Sequence, residues 1–347
     1  MIHKDKVKIH QGEVDVVTLT NTSGASVKLI GIGAGVMALN VPDKEGKMAD
    51  VALGYRNIAD YMGDGPCSGK VPGRYANRIA FGKFKLDGVE YSLPINNGPN
   101  CNHGGPDGFH NHIWKLVDAS DDSVTFEYTS PDGEAGFPGT LTARASYTWT
   151  NDNELKLHLS ATTDKKTVVN LTNHTYWNLA GHNAGSVLNH ILRLNANRYL
   201  PTNDTLIPDG VQATVAGTPM DFTFPKAIGK EIHTLFPALN YGKGYDNCWV
   251  VAAWKPGEIK PVAELYDAES GRLLVVSSDQ PGVQVYTGNW LAGSPVNKDG
   301  RSYEDYDGVA IECQDFPNSP NTPAFPSTVL EPGKEYSRHI NFKFAVK

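Results

Sequence analysis

The sequence predicts an all-β fold, a large antiparallel β-sandwich with very few short helices. Short stretches of alternating apolar and polar residues, broken by turn-forming residues, run along most of the 347-residue chain, which is the period-two signature of half-buried strands. Helical periodicity is weak. Amphipathic segments longer than about three turns are absent, and 35 glycines and 22 prolines interrupt shorter ones. Gly- and Pro-rich loops, such as Gly63–Pro66, Gly104–Gly108 and Asp315–Pro320, are long enough to line a cleft, the usual place for chemistry on a β scaffold.

The N-terminal MIHKDKVKIHQGEVDVV alternates charged and apolar residues and lacks the apolar core of a signal peptide. A cytoplasmic protein is expected unless a leader was removed. The longest run free of polar residues, Leu29–Leu39, is about half the ~20 residues of a spanning helix. Its small residues predict a strand and a tight turn. Phe84–Leu86, Asp87-Gly88 and Val89–Tyr91 read as a hairpin, because Asp-Gly supplies the positive φ of a type I′ turn. Further hairpins are expected from Ala145–Trp149 with Leu155–Leu159, and from Val262–Tyr266 with Leu273–Val276. Leu171–Leu179 and Val309–Gln314 are expected as strands, and Ile228–Phe236 as one short helix. With no internal repeat, low-complexity tract or linker, residues 1–347 are read as a single domain.

Composition excludes several functions. A net charge of −7 leaves no basic face for nucleic acid or an anionic membrane. Cys67, Cys101, Cys248 and Cys313 lie far apart without C-x-x-C spacing, so reduced, buried thiols are expected rather than a zinc or redox site. No dinucleotide- or phosphate-binding loop is present, since Gly31-x-Gly33-x-Gly35 has the wrong spacing and no following helix.

Candidate chemistry lies elsewhere. On a strand over 171–179, Thr172, His174, Tyr176 and Asn178 share one face, and an imidazole there can exchange protons near neutral pH. A hydrogen-bonded structural histidine is the competing reading. Glu312, within the apolar Val309–Gln314, is either a buried carboxylate with a raised pKa, suited to general-base work, or an exposed residue of an edge strand. His103 precedes Gly104 and Gly105, which permit close backbone approach to a ligand or simply form a tight loop. Asn77 and Arg78 offer neighbouring donors suited to hydroxyl groups. Asp246 and Gln284 add a loop carboxylate and a strand amide, with a turn and a structural hydrogen bond as alternatives. His110 and His112 lack a third ligand at metal spacing and read as a solvated loop.

Taken in order, GRYANRIA (73–80), NHGGPDGF (102–109), GFPG (136–139), NLTNHTYWNL (170–179), KGYD (243–246), PGVQVYTGN (281–289) and AIECQDFPNSPN (310–321) resemble the galactose mutarotase (aldose 1-epimerase) family. The resemblance implies that family's large antiparallel supersandwich and the interconversion of α and β anomers of free hexoses such as galactose and glucose. By motif, His174 resembles the general acid, Glu312 the general base and His103 a second active-site histidine. Asn77, Arg78, Asp246 and Gln284 resemble sugar contacts, with Tyr176 and Asn178 added on strand geometry. The implied partner is a small-molecule aldose, and an acid–base pair needs neither cofactor nor metal. The chain departs from the family at Cys67–Pro72, where relatives carry an FGA-type stretch, and at Cys101; both bear on the cleft rim and so on substrate preference. A glycoside hydrolase using Asp246 and Glu312, a non-catalytic sugar-binding module and a hexose-6-phosphate epimerase are the competing functions.

Overall fold

A computed structural model describes residues 1–347. The alternating stretches form three large sheets of nine, six and five strands, with three two-stranded ladders between them. Neighbouring strands in the large sheets pair antiparallel throughout. The expected hairpins are present: Lys83–Leu86 with Val89–Ser92, Leu141–Trp149 with Glu154–Thr163, and Lys260–Tyr266 with Arg272–Ser278. Asp87 and Gly88 take φ of 50° and 81°, as a type I′ turn requires. Leu29–Leu39 runs from the strand Ser26–Ile30 through a turn into the strand Gly35–Pro42. No helix is long and apolar enough to cross a membrane, and all four cysteines are free and buried.

Two expected elements differ. Ile228–Phe236 forms only a 3₁₀ turn at Ile228–Lys230, and the α-helix follows at Pro237–Gly242. Pro237 occupies the helix N-terminus, where its missing N–H costs nothing and its fixed φ suits the first turn. Of Leu171–Leu179 only Tyr176–Trp177 is regular strand. The preceding backbone bonds to loops instead of a sheet neighbour: Gly69 N–H donates to His174 C=O at 3.0 Å, and His174 N–H to Lys70 C=O at 2.9 Å.

The six-stranded sheet shows what alternation achieves. Trp249, Val283, Val285, Val309, Ile311 and Cys313 point inward to a core of 59 buried residues that also draws on the nine- and five-stranded sheets. The intervening residues, Asp246, Gln284, Tyr286 and Glu312, therefore share the sheet's other face. Four of the segments that resemble the family serve this frame. Arg74 donates to the carbonyls of Pro138 and Gly139 at 2.8 and 2.9 Å, joining 73–80 to 136–139. The Asn170 amide bonds Ala76 C=O at 3.0 Å and accepts Asp315 N–H at 2.9 Å, joining three segments at once.

Asp315 itself opposes folding at neutral pH. Its carboxyl is 1% exposed, neither oxygen has a hydrogen-bond partner, and Arg338 lies 3.7 Å away. Burial pushes its pKa up to about 6 despite Arg338. A folded pKa above the unfolded one means stability is greatest at low pH and is lost as pH rises through that interval. Asp315→Asn is therefore expected to stabilise the protein by about 2 kcal/mol at pH 8, with the gain vanishing near pH 4. Denaturant unfolding at both pH values measures it; an equal difference at both would contradict the assignment.

Candidate active site

Three adjacent strands bring the first group together. Gln284 faces Glu312 across one pairing, and Asp246 faces Tyr286 across the next. Glu312 is on an interior strand, between Gly282–Tyr286 and Tyr176–Trp177, and is 2% exposed. The edge-strand alternative is thereby excluded. His174 reaches the same spot from the irregular segment, its Nε2 3.5 Å from Glu312 Oε1. A short ladder pairing Arg78 with Asn102 sets 77–78 beside His103. Gly104 permits that approach: its φ is +82°, and a Cβ there would lie 2.1 Å from Gly73 O.

These residues line a polar cleft of about 560 Å³ that includes Asn77, Arg78, His103, His174, Tyr176, Asp246 and Glu312. Arg78 Nη2 donates to Asp246 Oδ2 at 3.1 Å and its Nε to Asn97 Oδ1 at 2.9 Å. Gln284 Nε2 donates to the other Asp246 oxygen at 2.6 Å. Both oxygens of Asp246 are thus held by charge-assisted or amide donors. Asn77 Oδ1 accepts Arg78 N–H at 2.8 Å. The His103 ring stands edge-on to His174, centroids 5.2 Å apart.

Desolvation dominates the electrostatics. Burial pushes the His174 imidazole down to about 4 and the Glu312 carboxyl well above its ordinary range, with Asp246 adding to the latter and Arg78 opposing it. His103 is also held well below its usual value by burial and the neighbouring His174, His110 and Arg78. Burial thus disfavours the charged form of each partner in the empty site.

His103, His174 and Glu312 each place a ligand atom within 4.8 Å of the others, a spacing that also suits a divalent metal. Tautomerism counts against it. His103 Nδ1 accepts Asn77 N–H at 3.1 Å, so the neutral ring carries its hydrogen on Nε2 and offers no lone pair there. That leaves two ligands, too few for a zinc site. His103 is instead a donor aimed into the cleft.

Asn178 is outside this group. The chain leaves extended geometry after Trp177, and the Asn178 amide is consumed by Gly185 C=O at 2.6 Å and Asp307 C=O at 2.9 Å. Gln284 acts through Asp246 rather than lining the cleft. The expected solvated loop at His110 and His112 is also corrected: His110 is 7% exposed behind His103, and His112 stacks on Tyr128 at 4.5 Å. Neither Cys67 nor Cys101 lines the cleft, although their chain neighbours Pro66 and Asn102 do. Tyr286, Asn97 and Trp290 were not anticipated there. Period-two spacing from Gln284 points to Tyr286. Trp290, 65% exposed beneath the Lys243 ammonium at 4.3 Å, follows Gly288-Asn289 in a loop without a readable period.

Comparison with known proteins places the fold and cleft in context. The aldose 1-epimerase family profile matches residues 15–343. Galactose mutarotase of Rattus norvegicus is 41% identical over 321 residues, covering 92% of this chain and 91% of the rat protein. Aldose 1-epimerase of Escherichia coli K12 is 36% identical over 95% of this chain and 94% of its own. Among solved structures, an aldose epimerase homologue from C. elegans superposes with a TM-score of 0.88 at 29% identity over 99% of both chains. Galactose 1-epimerase from Lactobacillus acidophilus gives 0.86 at 27% identity over 100% and 99%.

Proposed function

The chain belongs to the aldose 1-epimerase family and is a mutarotase, and from the cleft we propose that His174 and Glu312 carry the proton transfers on a free, uncharged aldose. The observation that carries this reading is the 3.5 Å contact between His174 Nε2 and Glu312 Oε1, buried at the base of a polar cleft.

Anomer exchange requires loss of the proton on the C1 hydroxyl and gain of one by the ring oxygen. The C1–O5 bond then breaks, the C1–C2 bond rotates, and the O5 hydroxyl attacks the other face of the aldehyde. In opening, the Glu312 carboxylate takes the hydroxyl proton and the His174 imidazolium protonates the ring oxygen. This leaves imidazole and carboxylic acid, the tautomer that burial favours. Closure runs from that state: His174 removes the O5–H proton while Glu312 returns one to the aldehyde oxygen. The pair ends as it began, with one proton, so no external acid or base is consumed. His103 Nε2–H supports the ring oxygen as charge develops, and Asn77, Arg78 and Asp246 hold the sugar hydroxyls.

The cleft favours an uncharged substrate. Arg78 is its one guanidinium, already committed to Asp246 and Asn97, and no lysine lines it. A phosphorylated hexose would find no free cation. Glycoside hydrolysis is disfavoured too, because Asp246 has both oxygens engaged and two histidines would lack a purpose.

The single shared proton predicts the pH profile. A second proton on His174 removes the base, so kcat/KM falls as pH drops through about 4. Burial of Glu312 moves the limb that follows its ionisation above the ordinary carboxyl range. Polarimetric rates on α-D-galactose and α-D-glucose from pH 3.5 to 9 test this. An acid limb near the ordinary histidine value of about 6.5 would contradict the assignment of His174.

A further inference from the structure

The proposed mechanism leaves one buried ion pair unused. Asp64 and Lys70 pair with both side chains fully buried, closing a loop over 64–70 that runs into the Cys67–Pro72 departure. Taking two charges out of water is expensive, and this pair has further bonds to offset the cost. Asp64 Oδ2 accepts Tyr55 O–H and Ser68 N–H, each at 2.9 Å, and Lys70 Nζ donates to Tyr61 C=O at 2.6 Å.

The loop that this pair closes touches the site at two places. Its C-terminal end holds both backbone groups of His174, through Gly69 N–H and Lys70 C=O. Gly69 C=O also accepts the Asn173 side-chain amide at 3.0 Å. Gly69 admits no other residue, since a Cβ would lie 2.0 Å from Val36 O at a φ of +77°. Its rim carries Pro66, whose C=O accepts the Tyr176 hydroxyl at 3.0 Å, and Tyr176 packs on the His174 ring with centroids 5.0 Å apart. His174 has no regular strand beneath it; this loop holds its backbone, while Thr172 and Tyr176 on either side tie the segment to the Glu312 strand.

We propose that the buried Asp64–Lys70 ion pair is a strap that positions His174 and the Pro66 rim, making Lys70 and Asp64 positioning residues for the acid–base pair. This rests on the reading of His174 as an acid–base group. Misplacement of a reacting group by about 1 Å can cost about 10²-fold, so the effect belongs in kcat. The sugar contacts Asn77, Arg78 and Asp246 stand on other elements, so KM should hardly change.

Lys70→Met or Asp64→Asn alone leaves an unpaired buried charge and is expected to unfold the protein at lower temperature. The informative variant is the double Asp64→Asn/Lys70→Met, which removes both charges. It is expected to fold, with kcat on galactose about tenfold lower, KM within about twofold of wild type and the NMR resonance of the His174 Cε1–H displaced. Keeping the charge with Lys70→Arg is expected to hold kcat closer to wild type than the double variant does. A folded double variant with wild-type kcat and an unmoved His174 resonance would overturn the strap. The resonance responds to loss of the ion pair whether or not His174 is catalytic, whereas His174→Asn, read by polarimetry, tests the catalytic reading separately.

Discussion

Glu312→Gln is expected to slow the anomerisation of galactose by roughly 10²–10⁴-fold while leaving the protein folded. Glutamine keeps the volume and planar shape at an interior strand position with 2% exposure, but it cannot take up or release the shared proton. The substitution also removes a buried carboxyl whose pKa burial raises, so stability at neutral pH should hold or increase. His174→Asn is expected to cost a similar factor. The double variant should be little worse than either single one, because the two side chains act as one proton-carrying unit. Polarimetry gives the rates and thermal unfolding gives the fold. Loss of activity with loss of folding would show only that the core had been damaged. Near wild-type activity in a folded Glu312→Gln protein would remove Glu312 from the chemistry.

Asp246→Ala is expected to lower kcat/KM by about 10²–10³-fold, chiefly through KM. The carboxylate anchors Arg78 at 3.1 Å and Gln284 at 2.6 Å. Without it the Arg78 guanidinium, whose side chain is 9% exposed, is left as a nearly buried charge without its counterion. The fan of donors that meets the sugar then loses its orientation. Asp246→Asn should fall between wild type and alanine, since an amide oxygen still accepts one of these bonds but without charge assistance. Initial rates over a range of galactose concentrations separate the parameters. An unchanged KM accompanied by a lower Tm would assign Asp246 a purely structural role.

Much of this arrangement follows from local pattern. Asp87-Gly88 demands its turn, and the alternation in Val283–Tyr286 and Val309–Gln314 sends Gln284 and Glu312 to one face while their neighbours enter the core. What alternation cannot show is whether a segment finds a sheet neighbour. Leu171–Leu179 has the composition of a strand, yet its first half is held by Gly69 and Lys70, contacts from a loop distant in sequence. Asn178 fails as a cleft residue for the same reason: the extended geometry stops one residue before it. His110 looks like a polar loop residue by composition and is buried because the loop folds back behind His103. The Asp64–Lys70 pair was invisible as chemistry, since a lysine among glycine, serine and proline reads as a solvated turn until the loop closes.

We propose that this cleft exchanges anomers through one proton shared by His174 and Glu312. The most direct test follows the optical rotation of freshly dissolved α-D-galactose at pH 7, with wild-type protein, with Glu312→Gln and with buffer alone. Rapid equilibration is expected with wild type, and a rate close to that of buffer with Glu312→Gln. Equilibration with wild type no faster than in buffer, or equally fast with both proteins, would contradict it.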